Sequence, residues 1–128
     1  MSDIQGLIRD LVAANHILGA EGLCDAYGHI SVRNPDNPDT YFLSRSRSPE
    51  LVTESDILEF NLDNSPTQET ELPIYIERPI HGAVFEARPD VMSVIHNHCA
   101  EVLPFAITAT PMRPAIHNAK RLGETAPV

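Results

Sequence analysis

Apolar residues recur at Ile4, Leu7, Ile8, Leu11, Val12, Ala14 and Leu18, the three-and-four spacing of a helix with one buried face. Gly19 and Gly22 bracket its end. The period then changes. Gly28-His29-Ile30-Ser31-Val32-Arg33 alternates like a half-buried strand, and the turn-rich run Asn34-Pro35-Asp36-Asn37-Pro38-Asp39 leads into Tyr41-Phe42-Leu43-Ser44, so a hairpin is expected. Ile57 to Leu62 predicts a third strand before the turn Asp63-Asn64, with Thr53-Glu54-Ser55-Asp56 as a short cap ahead of it. The acidic stretch from Pro66 to Glu71 reads as exposed loop.

A second helix is expected from Arg78 to Ala87, because Pro79 is tolerated in a first turn and Pro89 marks a stop. A strand from Val91 to His98 follows, then two short helix candidates, Ala100 to Ala106 and Pro114 to Leu122. Early strands followed by alternating helix and strand predict an α/β sandwich in which helices cover a mixed sheet.

The apolar strand Val91-Met92-Ser93-Val94-Ile95 runs into His96-Asn97-His98. Side chains two apart on a strand share a face, with backbones roughly 6–7 Å apart, so both rings could converge on one divalent cation. The plainer alternative is two neighbouring histidines in a chain that has six. Cys99 falls on the opposite strand face and is not counted as a ligand.

Composition narrows the partners. Eighteen acidic against nine basic side chains give a net charge of −9, which repels nucleic-acid phosphates and anionic lipid. The start, Met1-Ser2-Asp3-Ile4-Gln5-Gly6, lacks the basic and apolar regions of a secretion signal, and no run approaches the ~18 apolar residues of a membrane helix. A soluble cytoplasmic protein is expected, with no nucleic-acid or membrane partner. Two cysteines, Cys24 and Cys99, are too few for a disulfide framework, and 128 residues suit one domain. The cationic run Ser44-Arg45-Ser46-Arg47-Ser48-Pro49 stands out in an acidic chain as either a solvated loop or an anion-binding one.

Nineteen residues before His96 stands Glu77, and the expected helix separates them. A carboxylate at a helix start and a strand returning His-x-His place an acid/base group beside a cation. The alternative for Glu77 is a capping carboxylate worth about 0.3–1 kcal/mol.

These residues resemble the class II aldolase/adducin family. There a glutamate precedes a His-bearing helix, an Ala-Arg-Pro-Asp-Val-like turn (here Ala87 to Val91) and a strand ending His-x-His; Gly28 to Arg33 resembles the family's Gly-Asn-x-Ser-x-Arg strand, with His29 in the place of Asn. The resemblance implies a three-layer α/β/α sandwich with a central mixed, largely antiparallel sheet, of which residues 1–128 form the N-terminal portion. It implies that His96 and His98 bind a divalent metal, usually zinc (manganese or cobalt being alternatives), that Glu77 transfers the proton, and that the protein is a homo-oligomer, typically a tetramer.

Phosphosugar aldolases of the family carry small hydroxyl residues just before the glutamate, whereas this chain has Tyr75 and Ile76, which are expected to close the phosphate pocket. With His29, this points away from a sugar-phosphate aldolase. The segments Ser44 to Val52, Glu77 to His81 and Pro104 to His117 resemble the branch that decarboxylates dihydroxyphthalate and hydroxy-methylpyridine-dicarboxylate. A metal-dependent lyase acting on a small-molecule aromatic or ring-cleaved hydroxy-carboxylate is therefore expected. Arg45, Arg47 and Arg113 are the candidate carboxylate binders through their two-pronged guanidinium groups, with Ser44 and His117 as further substrate contacts. His81, one helical turn beyond Glu77, falls on its face and is read as orienting that carboxylate or filling a polar gap.

Catalytic zinc ordinarily takes three protein ligands. The family's third histidine lies in a His-Gly segment beyond Val128, so a truncated domain is expected; His29 and His117 are the substitutes within the chain. Two other readings are a class II aldolase and a non-catalytic adducin-like scaffold or inactive truncated homologue.

Overall fold

Asp3 starts the first helix, its carboxylate accepting the backbone N–H of Gly6 at 2.8 Å, the side-chain cap that satisfies an otherwise unpaired donor. In the computed structural model, which describes residues 2–117, 119 and 123–124, this helix, α1, spans Ile4–Ala20. It ends where Gly22 takes a positive φ of 67°, a conformation that suits glycine. The chain divides into two compact units, Met1–Asn97 and His98–Val128, and each is described by itself.

In the first unit the predicted hairpin forms from β1 (His29–Arg33) and β2 (Thr40–Ser44), and β3 (Ile57–Asn61) follows two short 3-10 turns at Pro49–Leu51 and Glu54–Asp56. Then come α2 (Pro79–Ala87) and β4 (Ser93–His96). The sheet order is β3-β2-β1-β4, and all three pairings are antiparallel.

Alternation sorts the strand residues onto two faces. Leu11 of α1 packs with Ile30 and Phe42, flanked by Ile4, Leu7, Ala14, Leu18, Val32 and Ile57. On the other face Phe85 of α2 packs with Tyr41, Leu43, Phe60 and Tyr75. One helix on each face of an antiparallel sheet gives the expected three layers. Each large apolar side chain so buried stabilises by about 1.5–3 kcal/mol.

Close packing of α2 depends on Gly82, where a Cβ would run into the Leu62 carbonyl and the Asn64 side chain. At its far end Arg33 donates to the carbonyls of Phe85 (2.5 Å) and Arg88 (3.2 Å), with its guanidinium carbon 4.8 Å from the Phe85 ring centre. A buried arginine thus ties the last turn of α2 to β1, satisfying carbonyls that a helix end leaves open.

The strand expected from Val91 to His98 is shorter. It ends at His96, which pairs with His29, the first residue of β1. Strand alternation therefore does not govern His98, which is half-buried and opens the second unit. In that unit α3 spans Leu103–Ile107, later than the expected Ala100 to Ala106. The Pro114 to Leu122 helix falls partly outside the described residues; residues 114–117 contain no α-helix. No described helix is long and apolar enough to cross a membrane.

Candidate active site

Three elements of the first unit converge on one cluster. β1 supplies His29 and Ser31 from its α2-facing side, β4 supplies His96 directly opposite His29, and the turn into α2 supplies Glu77. His29 Nε2 lies 3.7 Å from Glu77 Oε2, and His96 Nε2 lies 3.4 Å from Glu77 Oε1. The His29 and His96 rings stack with centres 5.0 Å apart. Glu77 does not cap α2: Arg78 is the N-cap residue and makes no side-chain cap bond. The carboxylate is turned toward the imidazoles, and its side chain is 37 % exposed while His29 is wholly buried, so it forms the accessible lip of the cluster.

Behind His29 lies a buried polar chain. His29 Nδ1 is 2.7 Å from His81 Nε2, and His81 Nδ1 is 2.5 Å from Ser31 Oγ. Burial, reinforced by the neighbouring His29 and His96, pushes the His81 value from 6.5 down to about 3, so His81 is neutral at neutral pH. Tyr75 closes the other side, with its ring centre 4.2 Å from that of His29. Its hydroxyl donates to the Arg47 carbonyl at 2.5 Å, and burial pushes the phenol up.

Ser44 is fully buried beside the Tyr75 hydroxyl. Arg45 and Arg47 both turn to Asp56: Arg45 Nε donates at 2.6 Å and Arg47 at 3.0 and 3.2 Å. Although burial would raise it, hydrogen bonds from Arg45, Thr53 and Arg47 hold the Asp56 carboxyl well below the usual carboxylate range. Ile76 is 88 % exposed, so of the two residues expected to close a phosphate pocket only Tyr75 packs inward. Arg113 and His117 belong to the second unit and are exposed. The structure thus brings Glu77, His96 and His29 together.

His29, His81 and Asp56 carry more of the arrangement than the local sequence suggests. The signal for the first was present: alternation on β1 sets His29, Ser31 and Arg33 on one face, against Ile30 and Val32 on the other. Nothing in the local sequence marked Asp56 as the shared partner of two arginines eleven and nine residues away.

The Class II Aldolase and Adducin N-terminal domain matches residues 9–128. The chain belongs to this family. It is 41 % identical over 122 residues to the decarboxylase tropJ of Talaromyces stipitatus, covering 94 % of this chain and 46 % of that protein. It is 32 % identical over 119 residues to 3,4-dihydroxyphthalate decarboxylase of Arthrobacter keyseri, covering 84 % and 47 %. The chain spans about half the length of the curated relatives it matches. Among solved structures, L-fuculose 1-phosphate aldolase from Glaciozyma antarctica superposes with a TM-score of 0.81 at 24 % identity, covering 94 % of this chain and 53 % of that one, a likeness of fold.

The family is generally dependent on a divalent metal, and the cluster fits one. One ligand atom each from His29, Glu77 and His96 lie within 4.8 Å of one another. Two imidazoles and a carboxylate are a borderline donor set of the kind that zinc takes.

Proposed function

We propose that this chain is the N-terminal portion of a divalent-metal-dependent carbon–carbon lyase that decarboxylates an aromatic or ring-cleaved hydroxy-carboxylate. The observation that carries the proposal is the Glu77 carboxylate, lying between the His29 and His96 imidazoles at 3.7 and 3.4 Å with its outer side open to solvent. Decarboxylation breaks the bond between a ring carbon and a carboxylate carbon; carbon dioxide departs and the electron pair stays on the ring carbon. His96, with His29 and Glu77 beside it, would hold a divalent cation, zinc for preference, whose positive charge would lower the energy of that pair; a role for His98 rests on the resembled motif alone.

Glu77, or an acid that it positions, delivers the proton to the ring carbon. Its half-open position suits that role, since it reaches an incoming substrate and also the buried imidazoles behind it. Arg45, only a quarter exposed and oriented by Asp56, is the first-unit group proposed to meet a substrate carboxylate, and a substrate role for Arg113 and His117 rests on the resemblance alone. Ser44 supports this edge through Tyr75 rather than by reaching out, because it is fully buried. The decarboxylase-named relatives and the inward packing of Tyr75 support this reaction over aldol cleavage of a sugar phosphate. A homo-oligomer, a tetramer by resemblance, belongs to the same proposal.

The test is carbon dioxide release from ortho-hydroxy aromatic dicarboxylates by the purified protein supplied with zinc, manganese or cobalt. Release that disappears in Glu77→Gln supports the proposal. Cleavage of a phosphorylated ketose instead would overturn it.

A further inference from the structure

The cluster contains more than the family pattern accounts for. His29 stands where the resembled strand has Asn, and it is wired on its inner side to two fully buried groups, His81 and Ser31. A neutral imidazole has one N–H and one lone pair, so each ring in a hydrogen-bonded row donates from one nitrogen and accepts at the other. The row Ser31–His81–His29 can therefore run in two directions. If Ser31 donates inward, His29 ends with its proton on Nε2, toward Glu77. If His29 donates from Nδ1 to His81, and His81 from Nδ1 to Ser31 Oγ, the Nε2 lone pair of His29 faces Glu77 and His96.

We infer that Ser31 and His81 are positioning residues for His29, holding it protonated on Nδ1 so that its Nε2 lone pair joins Glu77 and His96 in binding a divalent cation. Three observations meet in this assignment. The two inner contacts are short, at 2.7 and 2.5 Å. The three nitrogen and oxygen atoms on the outer side lie within 4.8 Å of one another. The serine hydroxyl is a group that can accept at the end of one direction and donate at the end of the other, so either row leaves both contacts made. Without a cation the carboxylate favours the N–H direction, since two lone-pair atoms would otherwise face each other at 3.7 Å. Cation binding thus reverses the row, with no net gain or loss of protons on the two rings.

This rests on the proposed metal dependence but not on the reaction, and it adds His29 to the pair expected from sequence. The experiment reads histidine tautomers by long-range nitrogen–proton correlation, and zinc binding by calorimetry, on the purified chain and its variants. The expected result is that His29 carries its proton on Nε2 without zinc and on Nδ1 with zinc. Ser31→Ala removes the terminal acceptor and should weaken zinc about tenfold, as loss of a partner behind a metal-binding histidine does. His81→Asn should weaken zinc similarly and leave His29 as a mixture of tautomers. Ser31→Ala deletes only one oxygen, so it serves as the conservative variant should His81→Asn not fold. An unchanged His29 tautomer on adding zinc, or zinc affinity within twofold of the parent in folded Ser31→Ala, overturns the inference. Failure to release carbon dioxide, with the tautomer switch intact, would sink the decarboxylase proposal and leave this one standing.

Discussion

On β1, Ile30 and Val32 turn toward α1 while His29, Ser31 and Arg33 turn toward α2. The α1 side is a packed apolar layer with Leu11 and Phe42 at its centre. The α2 side is apolar at its β3 end, around Phe60 and Phe85, and becomes polar toward β4, where the histidines gather. The difference teaches that one strand serves stability and chemistry through alternate residues. A one-residue slip of β1 would exchange them, placing the His29 imidazole against α1 and an isoleucine beside Glu77.

Substitutions that separate the two faces test this division. The largest expected effect is on turnover: Glu77→Gln keeps the shape of the side chain but cannot exchange a proton, so activity should fall about 10²–10⁴-fold while the thermal midpoint hardly moves. Activity retained in Glu77→Gln would remove the polar corner from the chemistry. The reciprocal change is Phe42→Ala on the α1 side. Removal of this buried ring should cost about 3–5 kcal/mol by denaturant unfolding, with zinc stoichiometry per folded chain unchanged. If metal binding fell in step with stability, the two faces would not be separable.

A third change concerns the loop that joins β2 to β3. Asp56→Asn leaves Arg45 and Arg47 facing a neutral group and should cost about 3 kcal/mol, in the range for breaking a largely buried ion pair. A loss under about 0.5 kcal/mol, the size of an ordinary surface change, would show that the arginines are held by something else.

Much of this arrangement was legible in the sequence, for identifiable reasons. The 3.6 period of α1 and the alternation of β1 and β2 are local, and each predicts a buried face without knowledge of what covers it. His96 and Glu77 were legible because the family motif keeps their types and spacing. The His29–His81 contact joins residues 52 apart, and it exists because α2 lies across β1 at the height set by Gly82. No local period encodes that height. The strand end at His96 escapes the local pattern for a similar reason: it falls where β1 begins and not at the end of the apolar run and its histidines.

The two faces should also differ in their response to acid, because only the α2 side buries a titratable ring. His81 is held down to about 3, whereas in the unfolded chain it takes up a proton near the ordinary 6.5. Between those values the unfolded chain binds the extra proton, so the contribution is fully present above 6.5 and is lost as pH falls toward 3. Asp56 acts later: its folded value lies below 3.8, so its contribution persists above 3.8 and disappears only in stronger acid. Urea midpoints for the metal-free chain should therefore decline from about pH 7 to about pH 4.5, and His81→Asn should flatten that decline. The same slope in the variant would assign the acid sensitivity to other groups.

The smallest expected effect is at Ile76. Tyr75 and Ile76 together look from sequence like a plug for a phosphate pocket, yet only Tyr75 is packed, against His29 and the α2 layer. Ile76 is 88 % exposed and touches neither core. Ile76→Ser, which supplies the small hydroxyl of the phosphosugar enzymes, should change stability by less than about 0.5 kcal/mol and should not create cleavage of a phosphorylated ketose. The corresponding change at Tyr75 would remove a ring from the core and from the His29 stack together, so its effect could not be assigned to phosphate alone. Ile76 is thus the cleaner probe: new aldol cleavage in Ile76→Ser would mean that the exposed residue, and not the buried ring, sets substrate class.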